Sequence, residues 1–167
     1  MKQGLYLISP DTFENAADLL NAVKNIAKDQ TVDAFLYTFP DGADKNGHLN
    51  VLKKLIPALQ AQNIAVLLKD DVDTAVKTGC DGVQVDYAPH LSELRKKIPD
   101  IALGVVCSSR HEAMTAGEAG ADYIAFSGEN VLQNTLWWAE LFNVPAVLVD
   151  TGTPCPNVDF IAKKISV

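Results

Sequence analysis

Eight short apolar runs recur along the chain, at Leu5–Ile8, Val32–Phe39, Ile64–Leu68, Gly82–Val85, Ala102–Val106, Tyr123–Phe126, Pro145–Val149 and Asp159–Ala162. Each is too short for a helix and rich in aliphatic, β-branched or aromatic residues, so each predicts a strand. They are apolar throughout rather than alternating, which predicts a sheet buried on both faces and therefore parallel. Helical spacing fills most intervals between them. Phe13, Ala17, Leu20, Val23 and Ile26 form one stripe, with Asp11 or Thr12 as its cap. Leu49, Leu52, Leu55, Ile56 and Leu59 form a second over 49–61. Pro57 costs that helix about 3 kcal/mol if it is internal, which predicts a kink or a late boundary. Shorter helices are predicted up to Gly79, over 91–97, over 110–119 behind a Ser108 or Ser109 cap, and over about 130–142.

The strands are not all alike. VDAFLY (32–37), CDGVQV (80–85), ADYIAF (121–126) and VDFIAK (158–163) each place an aspartate at the strand entrance. Before the second and third of these a helix ends in glycine, Gly79 and Gly120, 41 residues apart. A motif that returns at every second strand predicts a single-domain α/β chain over 1–167 folded as a TIM-type (β/α)8 barrel. An open doubly wound sheet is the alternative, and would not require the aspartate to recur to the C-terminus. Barrels of this kind typically run about 250 residues, so the expected form is compact. Residues 150–157 are too short and too proline-rich for a seventh helix, and no helical pattern follows the eighth strand. Helices 7 and 8 are expected to be reduced or missing. A bare wall near strands 7, 8 and 1 would follow, and a homo-oligomer covering it is the expectation. The rival is that 158–167 forms a terminal helix on a seven-stranded barrel.

Composition narrows the partners. The net charge of −7 argues against nucleic acid and against an anionic membrane surface. No apolar stretch approaches the ~20 residues needed to span a membrane, and the start of the chain reads as a first strand rather than a signal peptide. Cys80, Cys107 and Cys155 are widely spaced, with no CxxC or Cys/His metal pattern, so a reduced, cytoplasmic setting is expected.

Candidate chemistry follows from position, because ligands bind beyond the carboxyl ends of barrel strands. Lys69 and Asp70 end the third strand and Asp86 the fourth, so they form a candidate binding and metal cluster. The plainer reading of 69–71 is a solvated loop in which Asp70 or Asp71 caps the next helix. Cys107, Ser108 and Ser109 follow the fifth strand. The serines head a helix, where an anion could rest on free N–H groups or where they could simply cap. Cys107 reaches the mouth only if it points inward, and no histidine is placed to activate it. Ser127 and Gly128, with Asp150, Thr151, Gly152 and Thr153, flank the region where such barrels often hold phosphate. His48, His90 and His111 read as surface residues. Asp33, Asp81, Asp122 and Asp159 belong to the opposite, stability face. Of the adjacent Trp137 and Trp138, one is expected in the core.

Two segments carry a resemblance. LLKDDVDTAVKTGCDGVQVD (67–86) and GVVCSSRHEAMTAGEAGADYIAFSG (104–128) are similar to the thiamine phosphate synthase family and its TenI-type relatives. There the family tends to read INDRVDLALALGADGVHLGQ and GVSTHTPEEAREAEEAGADYIGFG. The resemblance implies a barrel of thiamine biosynthesis that couples an aminopyrimidine diphosphate to a thiazole phosphate with Mg2+, or a thiazole tautomerase. It also implies where this chain departs. The family's Gln-x-Arg-x-Lys on strand 2 falls on Leu36, Thr38 and Pro40. Its strand 3 Asn-Asp falls on Lys69-Asp70, which leaves Asp70 as a metal ligand, and its second metal aspartate falls near Ala88-Pro89. Its Ser-Thr-His-Thr becomes Val106, Cys107, Ser108 and Ser109, and its Gly-Gly becomes Thr151-Gly152-Thr153. With two cations gone and Lys69 and Lys163 the lysines left at the mouth, the expectation is a barrel that binds a small phosphorylated or thiazole-type ligand with weak or no synthase turnover. An active Mg-dependent synthase, a tautomerase and a non-catalytic scaffold are the alternatives.

Overall fold

The computed structural model describes residues 3–40, 42–149 and 155–167. Eight strands form a closed parallel barrel in sequence order: β1 Gly4–Ile8, β2 Ala34–Tyr37, β3 Ala65–Lys69, β4 Gly82–Asp86, β5 Ala102–Cys107, β6 Tyr123–Phe126, β7 Ala146–Val149 and β8 Phe160–Lys164. β8 pairs with β1 from Gly4 opposite Phe160 to Ile8 opposite Lys164. Closure excludes both the open sheet and the seven-stranded form. Six helices cover the outside: α1 Ala16–Ala27, α2 Lys45–Gln60, α3 Val72–Thr78, α4 Leu91–Lys97, α5 Arg110–Glu118 and α6 Val131–Leu141. Among the described residues no helix lies between β7 and β8 or after β8, as the pattern predicts.

The all-apolar strands are explained by two cores. Alternate residues such as Tyr6, Leu36, Leu67, Tyr123 and Ala162 fill the lumen. Their neighbours, among them Leu7, Phe35, Leu68, Val105 and Ile124, meet the helices. The recurring aspartates have one shared role. Asp33, Asp81, Asp122 and Asp159 each accept a hydrogen bond through Oδ2 from the first turn of the neighbouring odd strand, at Leu5 N (2.8 Å), Val66 N (2.8 Å), Leu103 N (2.7 Å) and Ala146 N (3.0 Å). A carboxylate thus ties each even strand to the odd strand before it, at the face away from the mouth.

Several boundaries differ from the sequence reading. α1 is capped by Asn15, whose side chain accepts from Asp18 N, and not by Asp11 or Thr12. α2 starts at Lys45 behind Asp44, because the polar KNGH turn carries no apolar periodicity to reveal it. Pro57 lies within α2, which continues through it to Gln60. The expected bare wall is largely filled on β7. Leu148 is buried against Cys155 and Val158, with Val131 and Leu132 of α6 beside them, so a short turn segment does the work of a helix there. Trp138 is the core tryptophan, while Trp137 is half-buried beneath the Arg110 guanidinium.

Candidate functional site at the barrel mouth

The carboxyl ends of β1, β2, β3, β4 and β8 surround a cavity of about 560 Å3, lined by Ile8, Asp11, Leu36, Thr38, Pro40, Lys69, Gln84 and Lys164 among others. This volume lies in the range of small-molecule sites, about 300–1,000 Å3. The three positions that carry the departures on strand 2, Leu36, Thr38 and Pro40, all line it. Ser9, fully buried on the neighbouring chain segment, holds Thr38 in place: its Oγ accepts from Thr38 N at 2.8 Å and lies 2.9 Å from Thr38 Oγ1.

Two lysines reach the cavity. Lys69 ends β3, as expected. The second is Lys164 and not Lys163. β8 extends to Lys164, and Ala162 lies in the lumen core, so strand alternation carries residue 164 to the same side and residue 163 to the other. The one-residue difference arises because the sequence reading ends the strand at Ala162. Lys164 Nζ donates to the Asp11 carboxylate at the rim. Asp11, Thr38, Gln84 and Lys164 were not singled out by sequence as site residues. The signal that finds Gln84 and Lys164 is parity along each strand once the barrel register is known, whereas Asp11 and Thr38 lie beyond the ends of β1 and β2 and come to the cavity through the closed barrel.

Asp70 and Asp86 stand at the ends of adjacent strands. Asp70 has a left-handed backbone (φ 66) and its N–H donates to Gln84 O at 2.8 Å, which locks the loop onto β4. Partial burial holds its carboxyl above the usual range; Lys69 opposes this and the negative charge of Asp86 adds to it. Asp71 is the cap of α3, accepting from Thr74 N (3.1 Å) and Thr74 Oγ1 (2.7 Å), with Lys45 Nζ at 3.1 Å. Burial pushes its carboxyl up, but the Thr74 bonds and Lys45 outweigh that and hold it low. Capping thus falls to Asp71, leaving Asp70 and Asp86 as the mutually repelling pair. Among the described residues no three or more His, Cys, Asp or Glu side chains are grouped to hold a metal ion. Two carboxylates do suit a hard cation such as Mg2+, which is commonly held by one or two carboxylates together with ligand phosphates.

The remaining candidates separate. Cys107 is fully buried in the core between sheet and helices, not at the mouth, and burial, with Glu112 adding, pushes its thiol up to about 12. Ser109 caps α5 by accepting from Glu112 N, while Glu112 Oε1 accepts from Ser108 N at 2.9 Å and from Ser108 Oγ at 3.1 Å. The protein's own carboxylate therefore sits where an anion was envisaged. Ser127, exposed, continues the inward register of Tyr123 and Ala125, and Gly128 takes a left-handed turn (φ 93) into α6. Asp150, Thr151, Gly152 and Thr153 lie outside the described residues. His90 and His111 are exposed, but His48 is not a surface loop residue. It lies on α2, half-buried, hydrogen-bonded through Nδ1 to the Tyr37 hydroxyl and edged by Phe13 and Phe39.

Comparison with known proteins places this geometry. The profile of the family described as thiamine monophosphate synthase matches residues 5–129. The thiamine-phosphate synthase of Rhodospirillum centenum is 36% identical over 161 residues, covering 87% of this chain and 76% of that protein. The thiamine-phosphate synthase of Erythrobacter litoralis is 31% identical over 169 residues, covering 90% and 78%. Among solved structures, a thiamine phosphate pyrophosphorylase from Pyrococcus furiosus superposes with a TM-score of 0.78 at 20% identity, covering 96% of this chain and 85% of that one, which speaks to the fold.

Proposed function

The chain belongs to the thiamine monophosphate synthase family of thiamine biosynthesis, and from that premise we propose that its mouth cavity binds a small phosphorylated, thiazole-type ligand with little or no synthase turnover. The observation that carries this reading is the cavity of about 560 Å3 into which Lys69 and Lys164 both project beside Thr38 and Gln84. Two ammonium groups and two neutral polar groups suit one phosphoryl group.

A diphosphate leaving group asks for more. Where the family resemblance implies a guanidinium and an ammonium on strand 2, this cavity has Thr38 and Pro40. A hydrogen bond to a charged group is worth about 1.5–3 kcal/mol, so losing two that act on the departing charge removes about 3–6 kcal/mol. That is a rate lower by about two to four orders of magnitude. Asp11, Asp70 and Asp86 add negative charge around the opening.

A second reading, an active synthase, is favoured by the Asp70–Asp86 pair and by the 36% identity to a curated synthase. Asp70 and Asp86 are the residues that would hold Mg2+, and the ion would there offset the charge of a diphosphate. Isothermal titration and thermal shift with thiazole phosphate, thiamine phosphate and pyrophosphate, each with and without Mg2+, test both readings. The first expects binding of the monophosphates and no thiamine phosphate from the paired substrates. Product formed at rates typical of enzymes, about 1 per second or faster, would replace it with the second. No binding of any of these compounds would remove both.

A further inference from the structure

Between the two lysines the cavity is lined by Gln84, which two buried tyrosines from two other strands hold from the lumen side. Gln84 of β4 lines the cavity and turns Oε1 into the lumen, 2.7 Å from the Tyr123 hydroxyl and 3.0 Å from the Tyr6 hydroxyl. The two hydroxyls are 2.7 Å apart. Both tyrosines are buried, at 3% and 8% exposure, and their rings meet edge-on at 5.8 Å. Room for this is made by Gly104 on β5, where a Cβ would lie 2.0 Å from the Tyr123 ring.

Counting protons decides which way the carboxamide faces. Three oxygens lie in mutual contact and two hydroxyl protons are available. With Oε1 inward, Tyr6 donates to Tyr123 and Tyr123 donates to Gln84, and the 3.0 Å contact is the longest of the three, as the one left without its own proton should be. With the amide reversed, its NH2 would donate inward and one tyrosine proton would have no acceptor among the described residues. A buried donor without a partner is costly, so the first arrangement wins. Gln84 Nε2 then makes no hydrogen bond to a described residue, yet no buried side-chain nitrogen or oxygen among them lacks a partner. Nε2 is therefore open to the cavity.

We propose that Tyr6 and Tyr123 lock the Gln84 carboxamide with its NH2 toward the mouth, which makes Gln84 a specificity-determining residue that demands an anionic oxygen from the end of the ligand reaching it. The inference rests on the reading of the cavity as a phosphorylated-ligand site. Lys69, Lys164 and Gln84 then offer donors to a phosphoryl group, Lys164 while also holding Asp11 at the rim, and a ligand presenting an amino group to Gln84 meets donor against donor. Tyr6 and Tyr123 are positioning residues, acting through Gln84 without touching the ligand.

The test uses the full chain with inorganic phosphate and pyrophosphate as probes near pH 8. Gln84→Glu keeps an acceptor for both tyrosines but turns a carboxylate oxygen to the mouth, and is expected to weaken phosphate binding at least tenfold, about 1.4 kcal/mol. Gln84→Met, which offers no donor, is expected to do the same, and serves if the first variant fails to fold. In the unaltered protein the side-chain amide signals of Gln84, assigned by their loss in Gln84→Met, are expected to shift on saturation with phosphate. In Tyr123→Phe the amide can rotate, and these signals should broaden while the backbone signals stay in place. Phosphate binding in both Gln84 variants within twofold of the unaltered protein overturns the inference and leaves the ligand reading standing. So do Gln84 amide signals that do not move. Absence of phosphate and pyrophosphate binding by the unaltered protein overturns both.

Discussion

Removing Asp122 separates the stability of this barrel from its mouth. In Asp122→Ala the Leu103 N–H loses an acceptor at 2.7 Å and Arg95 Nη1 loses a partner at 2.7 Å. The first bond has a charged acceptor and is worth about 1.5–3 kcal/mol. The second is an ion pair with Asp122 half-exposed, so it adds only about 0.2–1 kcal/mol. Arg95 keeps its bonds to the Gly120, Ile98 and Ile101 carbonyls, which limits the further loss. The expected destabilisation is about 2–4 kcal/mol, or a Tm lower by about 4–16 °C at about 2–4 °C per kcal/mol for a chain of this size. Asp33→Ala, whose carboxylate accepts from Leu5 N at 2.8 Å, should cost about 1.5–3 kcal/mol. Asp122→Asn retains an oxygen acceptor and should recover part of the loss. Urea unfolding followed by circular dichroism measures all three, with phosphate titration on the folded variants. The reasoning is refuted if Asp122→Ala lies within about 0.5 kcal/mol of the unaltered protein, the ordinary range of neutral surface changes. It is also refuted if the folded variant loses phosphate affinity, because Asp122 is at the end of the barrel opposite the mouth.

Lys69→Met and Lys164→Met are each expected to weaken pyrophosphate binding about ten- to a hundredfold by calorimetry, while Lys163→Met leaves it unchanged because β8 turns that residue to the other side. Asp70→Asn should raise the Tm near pH 7. Its carboxyl is held above 3.8 in the folded chain, so the folded state binds its proton more tightly than the unfolded state, and the ionised form is a net cost once the pH exceeds that range. The gain should stay below about 1 kcal/mol for so exposed a charge, asparagine tolerates the left-handed backbone, and any Mg2+-induced shift should disappear with it. The Cys107 thiol, pushed up to about 12, should resist iodoacetamide near pH 8 in the folded chain. It should also make stability fall as the pH climbs from about 9: there the unfolded chain releases this proton and the folded one keeps it. The buried Tyr6 and Tyr123 hydroxyls, also pushed up, act in the same direction above about 10, so the urea midpoint should be lower near pH 10.5 than near pH 8.

Much of the architecture is written locally. The apolar runs, the returning aspartate before every second strand and the glycine ends of two helices are short-range signals, and they suffice for strand number, parallel pairing, the lack of a seventh or eighth helix among the described residues and the stability face. The aspartates were legible because each acts through an invariant geometry, a carboxylate over the first N–H groups of the adjacent strand. The position of Lys69, Asp70 and Asp86 at the mouth was legible for the same reason, since strand ends alone place them. What failed in the sequence were matters of one residue or of distant partners. Ending β8 two residues early put Lys163 in place of Lys164, and side chains alternate, so a shift of one residue reverses the face. His48 looked superficial because the first turn of its helix is polar, although tertiary packing sets it against Tyr37. The serine pair could not be told from an anion site until Glu112 was seen to occupy it.

The sequence by itself therefore determined which segments become strands and at which end of the barrel the charged residues collect, since strand formation and burial follow from patterns a few residues long. Only the tertiary structure decided which side chains share the cavity and which way they face. Gln84 meets Tyr6 across 78 positions of chain and Tyr123 across 39. Its orientation is set by where two protons can go inside a closed barrel, a constraint that exists only once all three strands have been brought together.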